Sequence, residues 1–121
     1  MRRNRLFVIA FVIAAFTLWL LLAPPRWWLS LTKPVDLSNP ARAGAQVVEK
    51  YNCRSCHWID GRGGLKAPDL AGVTEQLDAV LLWLWLSNPQ AVKGNTAMPN
   101  FHLSDSEIEA IVAYLTALDA R

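Results

Sequence analysis

The chain opens on a long apolar run. From Leu6 to Ala23 every residue except Thr17 is apolar, and as a helix this stretch spans ~27 Å, close to the thickness of a bilayer core. Pro24 and Pro25 then end it, since neither can donate to a helical ladder. A cleaved signal peptide is the competing reading. The run outlasts a usual signal core, however, and no Ala-x-Ala site precedes the prolines, so residues 1–23 are expected to be a retained transmembrane anchor. Residues 24–38 then form a juxtamembrane linker, reaching at most ~50 Å when extended. Trp27 and Trp28 beside Arg26 have the character of an interfacial aromatic belt.

Beyond the linker the pattern changes to short amphipathic helices. Asn39 caps a helix with Pro40 in its first position, and Gly44, Val47, Val48 and Tyr51 share one face at the i, i+3, i+4, i+7 spacing. A glycine in that stripe lets a second helix approach closely. Gly61-Arg62-Gly63-Gly64 reads as a loop; a phosphate cradle would need a preceding strand and a Gly-Lys-Ser/Thr that are missing. Thr74 is expected to cap a helix running to about Ser87, ended by Asn88-Pro89, with Leu77, Val80, Leu81 and Leu84 as its core stripe. That assignment turns Leu82 and Leu86 outward with Trp85 on the flank. Such a face suits contact with another membrane subunit or the bilayer surface, the plainer alternative being tryptophans folded over a cofactor edge. Residues 90–103 have no helical period. The last helix is the best marked: Ser104 and Glu107 form a capping box, and Leu103 and Ile108 the hydrophobic staple. Ile108, Ile111, Val112, Leu115 and Leu118 make its buried stripe, with Tyr114 at the edge.

A chain of 121 residues suits one small domain (residues 39–121) plus the accessory N-terminal segment. The formal net charge of +2 conceals segregation. Arg2, Arg3, Arg5, Arg26 and Lys33 precede residue 39 with Asp36 alone opposing them, whereas from Asn39 onward seven basic residues face nine acidic ones, a net of −2. A nucleic-acid partner is therefore excluded, because the folded domain offers no basic patch. The arginine cluster ahead of the apolar run predicts a cytoplasmic N-terminus and a domain on the periplasmic or outer face.

Both cysteines of the chain lie in Cys53-Arg54-Ser55-Cys56-His57. Cys-x-x-Cys-His reads as the attachment site of a c-type haem. Two thiols at this spacing can each add across one vinyl group of a single porphyrin, and the adjacent histidine is then held beneath the ring to bind iron. A redox dithiol would expect a βαβ context, and a zinc site would need a second Cys/His pair. One motif implies one covalently attached haem c. A thin core of this size would also gain stability from such an apolar centre.

What fills the other axial position separates electron transfer from ligand chemistry. Apart from Met1 the sole methionine is Met98, in a loop ending at Pro99, and apart from His57 the sole histidine is His102. Met98 as core filler is the bland alternative; Met98 as distal ligand is favoured, with His102 expected to be exposed near the Ser104 cap. His57 and Met98 together would leave no open position, so the iron would carry single electrons and catalyse nothing by itself.

The segments GAQVVEKYNCRSCH, APDLAGV, NTAMPNF and LSDSEIEAIVAYLTAL resemble a class I cytochrome c, and the similarity covers roughly residues 40 to 120. The resemblance implies an all-α class I cytochrome c fold, here preceded by one transmembrane helix. It implies thioethers at Cys53 and Cys56, His57 as proximal ligand and Met98 as distal ligand. It also implies that the Pro68 carbonyl accepts a hydrogen bond from the second ring nitrogen of His57, that Leu70 packs against the haem, and that Thr96 bonds a propionate. Gly44 and Tyr114 match positions where the first and last helices cross. Ala67 departs from the usual glycine before the proline, and Val48 from a frequent aromatic. The expected function is a membrane-tethered carrier passing single electrons between redox partner proteins of a respiratory or photosynthetic chain. The alternative is a fixed haem c subunit of a larger membrane redox complex. A haem sensor or peroxidase would require Met98 to be off the iron.

Overall fold

The computed structural model describes residues 2–121. Helix α1 runs Arg2–Leu22 with none of its residues buried, and it is long and apolar enough to cross a membrane. Its lone polar side chain within the apolar run, Thr17, turns its hydroxyl back onto the Ile13 and Ala14 carbonyls at 3.0 and 2.9 Å, so no unpaired polar group interrupts the apolar cylinder.

The linker is more structured than its composition suggests. Within it lies a helix, α2 (Arg26–Thr32), whose Leu29 is buried. Extended backbone then leads to α3 (Pro40–Lys50), where the Asn39 side chain accepts the Arg42 N–H as the cap expected from Asn39-Pro40. Chain direction reverses in a 3-10 turn at Cys53–Ser55 and a two-residue antiparallel hairpin, β1 (Trp58–Ile59) with β2 (Arg62–Gly63). Asp60 and Gly61 between them have φ of 52° and 75°, the left-handed pair that a tight hairpin turn demands.

The helix expected over Thr74–Ser87 is two helices. Helix α4 (Val73–Gln76) ends at an extended Leu77, and Asp78 caps α5 (Ala79–Ser87) by accepting the Leu81 N–H at 2.7 Å. Thr74 caps nothing. Its hydroxyl and N–H both go to the Asp119 carboxylate, which also takes the Gly72 N–H, so the last turn of the chain fixes the start of α4. The break rotates α5 relative to the expected stripe. Leu82 is buried and Leu86 packs on the core, while Val80 and Leu84 are exposed, which removes the outward Leu82/Leu86 face. A short α6 (Pro89–Val92) follows.

Helix α7 (Asp105–Asp119) carries the capping box in full: the Ser104 hydroxyl takes the Glu107 N–H, and the Glu107 carboxylate takes the Ser104 N–H. It crosses α3 to form the core from Val47, Val48, Ile108, Ile111, Tyr114 and Leu115. The crossing is set by Gly44. A Cβ there would overlap the Ala110 carbonyl oxygen and stand 2.6 Å from Tyr114 Cβ, so the two backbones meet where the side chain is missing. Val48, despite replacing a frequent aromatic, is fully enclosed.

Candidate functional site

The Cys53–His57 segment hangs between the end of α3 and the hairpin, and three sets of contacts shape it. The Cys53 carbonyl accepts the N–H groups of Cys56 and His57, which winds the motif into a single turn. The Cys56 carbonyl accepts the N–H groups of Lys66 and Ala67, tying the turn to the stretch of chain leading to Pro68. Gly63 and Gly64 lie flat against the turn, and a Cβ on either would run into the His57 or Ser55 carbonyl. Gly63 and Gly64 are thus required by close backbone approach, whereas Gly61 has open space around it and a left-handed φ of 75°. Ala67 has no positive φ, so alanine fits where glycine is frequent.

Arg54, between the two cysteines, locks this turn into the domain. Its guanidinium donates to Glu49 at 2.8 Å, to the Tyr114 hydroxyl at 2.9 Å and to the Ile59 carbonyl, linking α3, α7 and β1. Sequence reasoning passed over this residue because the variable positions of the motif carry no signature. In the fold its long stem is almost wholly buried, with the side chain 9% exposed.

The resemblance assigned His57 a partner, and the geometry supplies it: Nδ1 lies 2.7 Å from the Pro68 carbonyl oxygen. A carbonyl can only accept, so Nδ1 carries the proton and the lone pair remains on Nε2, the form in which imidazole binds a metal. The thiols of Cys53 and Cys56 are free, both half-buried, and burial pushes the Cys53 thiol up from its ordinary value. Among the described residues no group of three or more His, Cys, Asp or Glu side chains is placed to hold a metal ion.

The remaining predicted residues occupy the surrounding loops. Leu70 is half-buried, packs against the core, and is held by its N–H to the Trp58 carbonyl at 3.0 Å. Met98 is half-buried in the loop after α6, where Gln90 grips its carbonyl at 2.9 Å and the Thr96 hydroxyl accepts its N–H at 3.3 Å. The Thr96 hydroxyl hydrogen is still available to donate. His102 is half-buried rather than exposed: with φ of 50°, it faces a crevice of about 290 Å³ between α2 and α5, lined also by Arg26, Leu29 and Trp83. These residues fit a haem c by the chemistry of the donor set, which offers two free thiols and an imidazole tautomer with its outer nitrogen open.

Residues 39–115 match the family model described as cytochrome c oxidase, cbb3-type, subunit III. Among curated relatives, the C subunit of nitric oxide reductase from Halomonas halodenitrificans is 28% identical over 116 residues, which cover 86% of this chain and 77% of that protein. Its counterpart of the same name from Stutzerimonas stutzeri is 29% identical over 90 residues, covering 69% of this chain and 62% of that protein. Cytochrome c oxidase subunit 2 of Alkalihalophilus pseudofirmus is 33% identical over 88 residues, 64% of this chain but 25% of that protein. The chain thus spans a quarter of the oxidase subunit and under two thirds of the S. stutzeri protein. All three relatives are named as subunits, which fits the alternative of a subunit in a redox complex better than the free carrier. With its N-terminal apolar helix and haem-type site, the chain is a c-type cytochrome and belongs to the family of the cytochrome c oxidase, cbb3-type, subunit III.

Proposed function

We propose that this chain is the membrane-anchored, electron-carrying cytochrome c subunit of a larger redox complex, with one covalently attached haem c. Haem c in this site supplies a one-electron ferrous/ferric couple. The observation that carries the proposal is the His57 Nδ1–Pro68 carbonyl bond, which fixes the imidazole in its metal-binding tautomer beside two free thiols. Cys53 and Cys56 would hold the haem covalently, and His57 Nε2 and Met98 Sδ would bind its iron. Leu70 packs on the ring, and Thr96 donates its hydroxyl hydrogen to a propionate. A thioether ligand favours the ferrous state and raises the potential. With His57 and Met98 both on the iron, the domain would receive and release single electrons without transforming a substrate itself, and substrate chemistry would fall to a partner subunit. Helix α1 crosses the membrane once, with Arg2, Arg3 and Arg5 on the cytoplasmic side and the haem domain on the periplasmic or outer face.

Purification in mild detergent tests the subunit reading: the chain should co-purify stoichiometrically with larger polypeptides, and elution alone would restore the free carrier. For the ligands, Met98→Ala should abolish the far-red sulfur-to-iron charge-transfer band of the ferric protein. A wild type lacking that band would overturn the Met98 assignment. Protease added outside intact spheroplasts should digest the haem domain and spare α1; full protection would reverse the topology.

A further inference from the structure

The segment between the anchor and the haem domain has two distinct faces. On α2, Arg26, Leu29 and Ser30, with Lys33 just beyond, fall at the i, i+3, i+4, i+7 spacing, and all four engage the domain. The Arg26 guanidinium pairs with the Asp105 carboxylate and stacks 4.5 Å from the centre of the Trp83 ring. The Ser30 hydroxyl donates to the same carboxylate at 3.0 Å, and Leu29 is 5% exposed. The Lys33 ammonium donates to the His102 carbonyl at 2.9 Å, and its carbonyl accepts the Ser104 hydroxyl at 2.7 Å. Past α2, the Val35 N–H donates to the Ser106 hydroxyl at 3.0 Å. The start of α7 is therefore tied to the linker by a run of polar bonds around one buried leucine.

The opposite face carries Trp27, Trp28 and Leu31, which are 56%, 38% and 71% exposed. None of the three is buried in the domain, and the two indoles contact each other edge to face with ring centres 5.8 Å apart. Chain length decides what lies beneath. Between Leu22, where α1 ends, and Arg26 stand three residues, a path of at most about 14 Å. The headgroup layer on each side of a bilayer core is itself about 5–8 Å deep. An apolar, tryptophan-rich face so close to the end of a membrane span is continuous with the lipid contact of α1, at the depth where indole rings partition.

Resting on the reading of α1 as a membrane anchor, we infer that α2 is a two-sided seat: Trp27, Trp28 and Leu31 lie in the lipid interface, while Arg26, Leu29, Ser30 and Lys33 grip α7. The haem domain is then held in one orientation on the bilayer instead of swinging on a tether. This makes the angle of the haem plane to the membrane a property of the chain itself.

Photolabelling tests the lipid contact. The full haem-loaded chain is reconstituted in phosphatidylcholine vesicles carrying a diazirine in the acyl chain near the glycerol, irradiated, and mapped by mass spectrometry. Adducts on Trp27, Trp28 or Leu31 in addition to α1 are expected. Adducts confined to α1 would overturn the inference, as would α2 adducts that disappear when the native complex is labelled, since a protein subunit would then be the occupant. Linear dichroism of the haem Soret band in oriented multilayers tests the fixed orientation. Wild type should be dichroic, and Trp27→Glu/Trp28→Glu/Leu31→Glu should lose most of that signal with its absorption spectrum unchanged. Dichroism retained in the triple variant would refute the seat. A chain without any Soret band would count against the haem assignment alone, because the adduct map reads α2 with or without haem.

Discussion

Gly44→Ala adds one methyl group at the tightest point of the domain. Its Cβ would overlap the Ala110 carbonyl oxygen and lie 2.6 Å from both the Ala110 carbonyl carbon and Tyr114 Cβ, where ordinary contact starts at 3.4 Å. Relief of the Tyr114 contact alone requires α3 and α7 to part by roughly 0.8 Å, and a gap of that order forfeits about a quarter to a half of each dispersion contact across it. The enclosed side chains of Val47, Val48, Ile108, Ile111 and Leu115 would all feel the separation. Overpacking where side chains can yield costs about 1–3 kcal/mol; here the obstacle is backbone, so the upper end applies. Alanine's helical advantage over glycine, about 1 kcal/mol, offsets part of it. A net loss of about 2 kcal/mol should lower Tm by roughly 8–16 °C for a domain of this size. Thermal unfolding of the haem-loaded chain in detergent, followed by the Soret band, measures this. Gly94→Ala is the matched control: its Cβ would meet nothing within 4 Å, so a change within about 0.5 kcal/mol is expected. If both variants melt together with wild type, the close-crossing explanation is wrong.

The surface of α5 gives a paired prediction. Leu82→Glu should destabilise the domain by about 3 kcal/mol or more, because it buries a charge without a partner, whereas Val80→Glu and Leu84→Glu should leave the melting curve nearly unmoved; equal effects would contradict the orientation of the helix. The Glu107 carboxyl is pushed up by burial, but Lys50, the Ser104 N–H and the Tyr51 hydroxyl outweigh this and hold it below the ordinary 4.5. A carboxyl depressed on folding contributes stability that is complete above the unfolded value and is lost as pH falls through the folded one. The urea midpoint should therefore drop as pH is lowered from about 5 towards 3, and the drop should be smaller in Glu107→Gln; parallel curves would refute the linkage. Arg54→Gln removes donors to Glu49, Tyr114 and Ile59 and should cost about 1–3 kcal/mol, read as a lower urea midpoint in the haem-loaded protein. An unchanged midpoint would mean that the turn holds without it.

Legibility in the sequence followed the strength of local signals. The apolar run, the Asn39 cap and the Ser104/Glu107 box each combine several cues within a few residues, and each stands where it was expected. The motif likewise was readable because Cys53, Cys56 and His57 fall within one short stretch of chain. Helix α5 was misoriented for a physical reason: Ala79–Leu86 is apolar on every side, so periodicity cannot say which side faces inward. Two cap-competent residues, Thr74 and Asp78, precede it, and the tertiary pull of Asp119 on Thr74 decided between them. Helix α2 escaped notice because seven residues, two of them tryptophan, are too few to show a period; its docking depends on Asp105, 79 residues away. The hairpin stands where a loop was expected at Gly61–Gly64, and two-residue strands are too short to show an alternating pattern.

The α3–α7 crossing also sets a timetable. Everything that would touch the haem, from Cys53 to Met98, lies in the stretch of chain that these two helices enclose, and the Arg54–Tyr114 bond alone joins positions 60 residues apart. A growing polypeptide has α3 and the cysteine motif in hand long before α7 exists. Until α7 (Asp105–Asp119) is made, Gly44 has no backbone to meet and Arg54 has no Tyr114 hydroxyl to hold. Under the proposed attachment, closure late in synthesis would leave an interval for a bulky porphyrin to reach the thiols before the domain shuts around it.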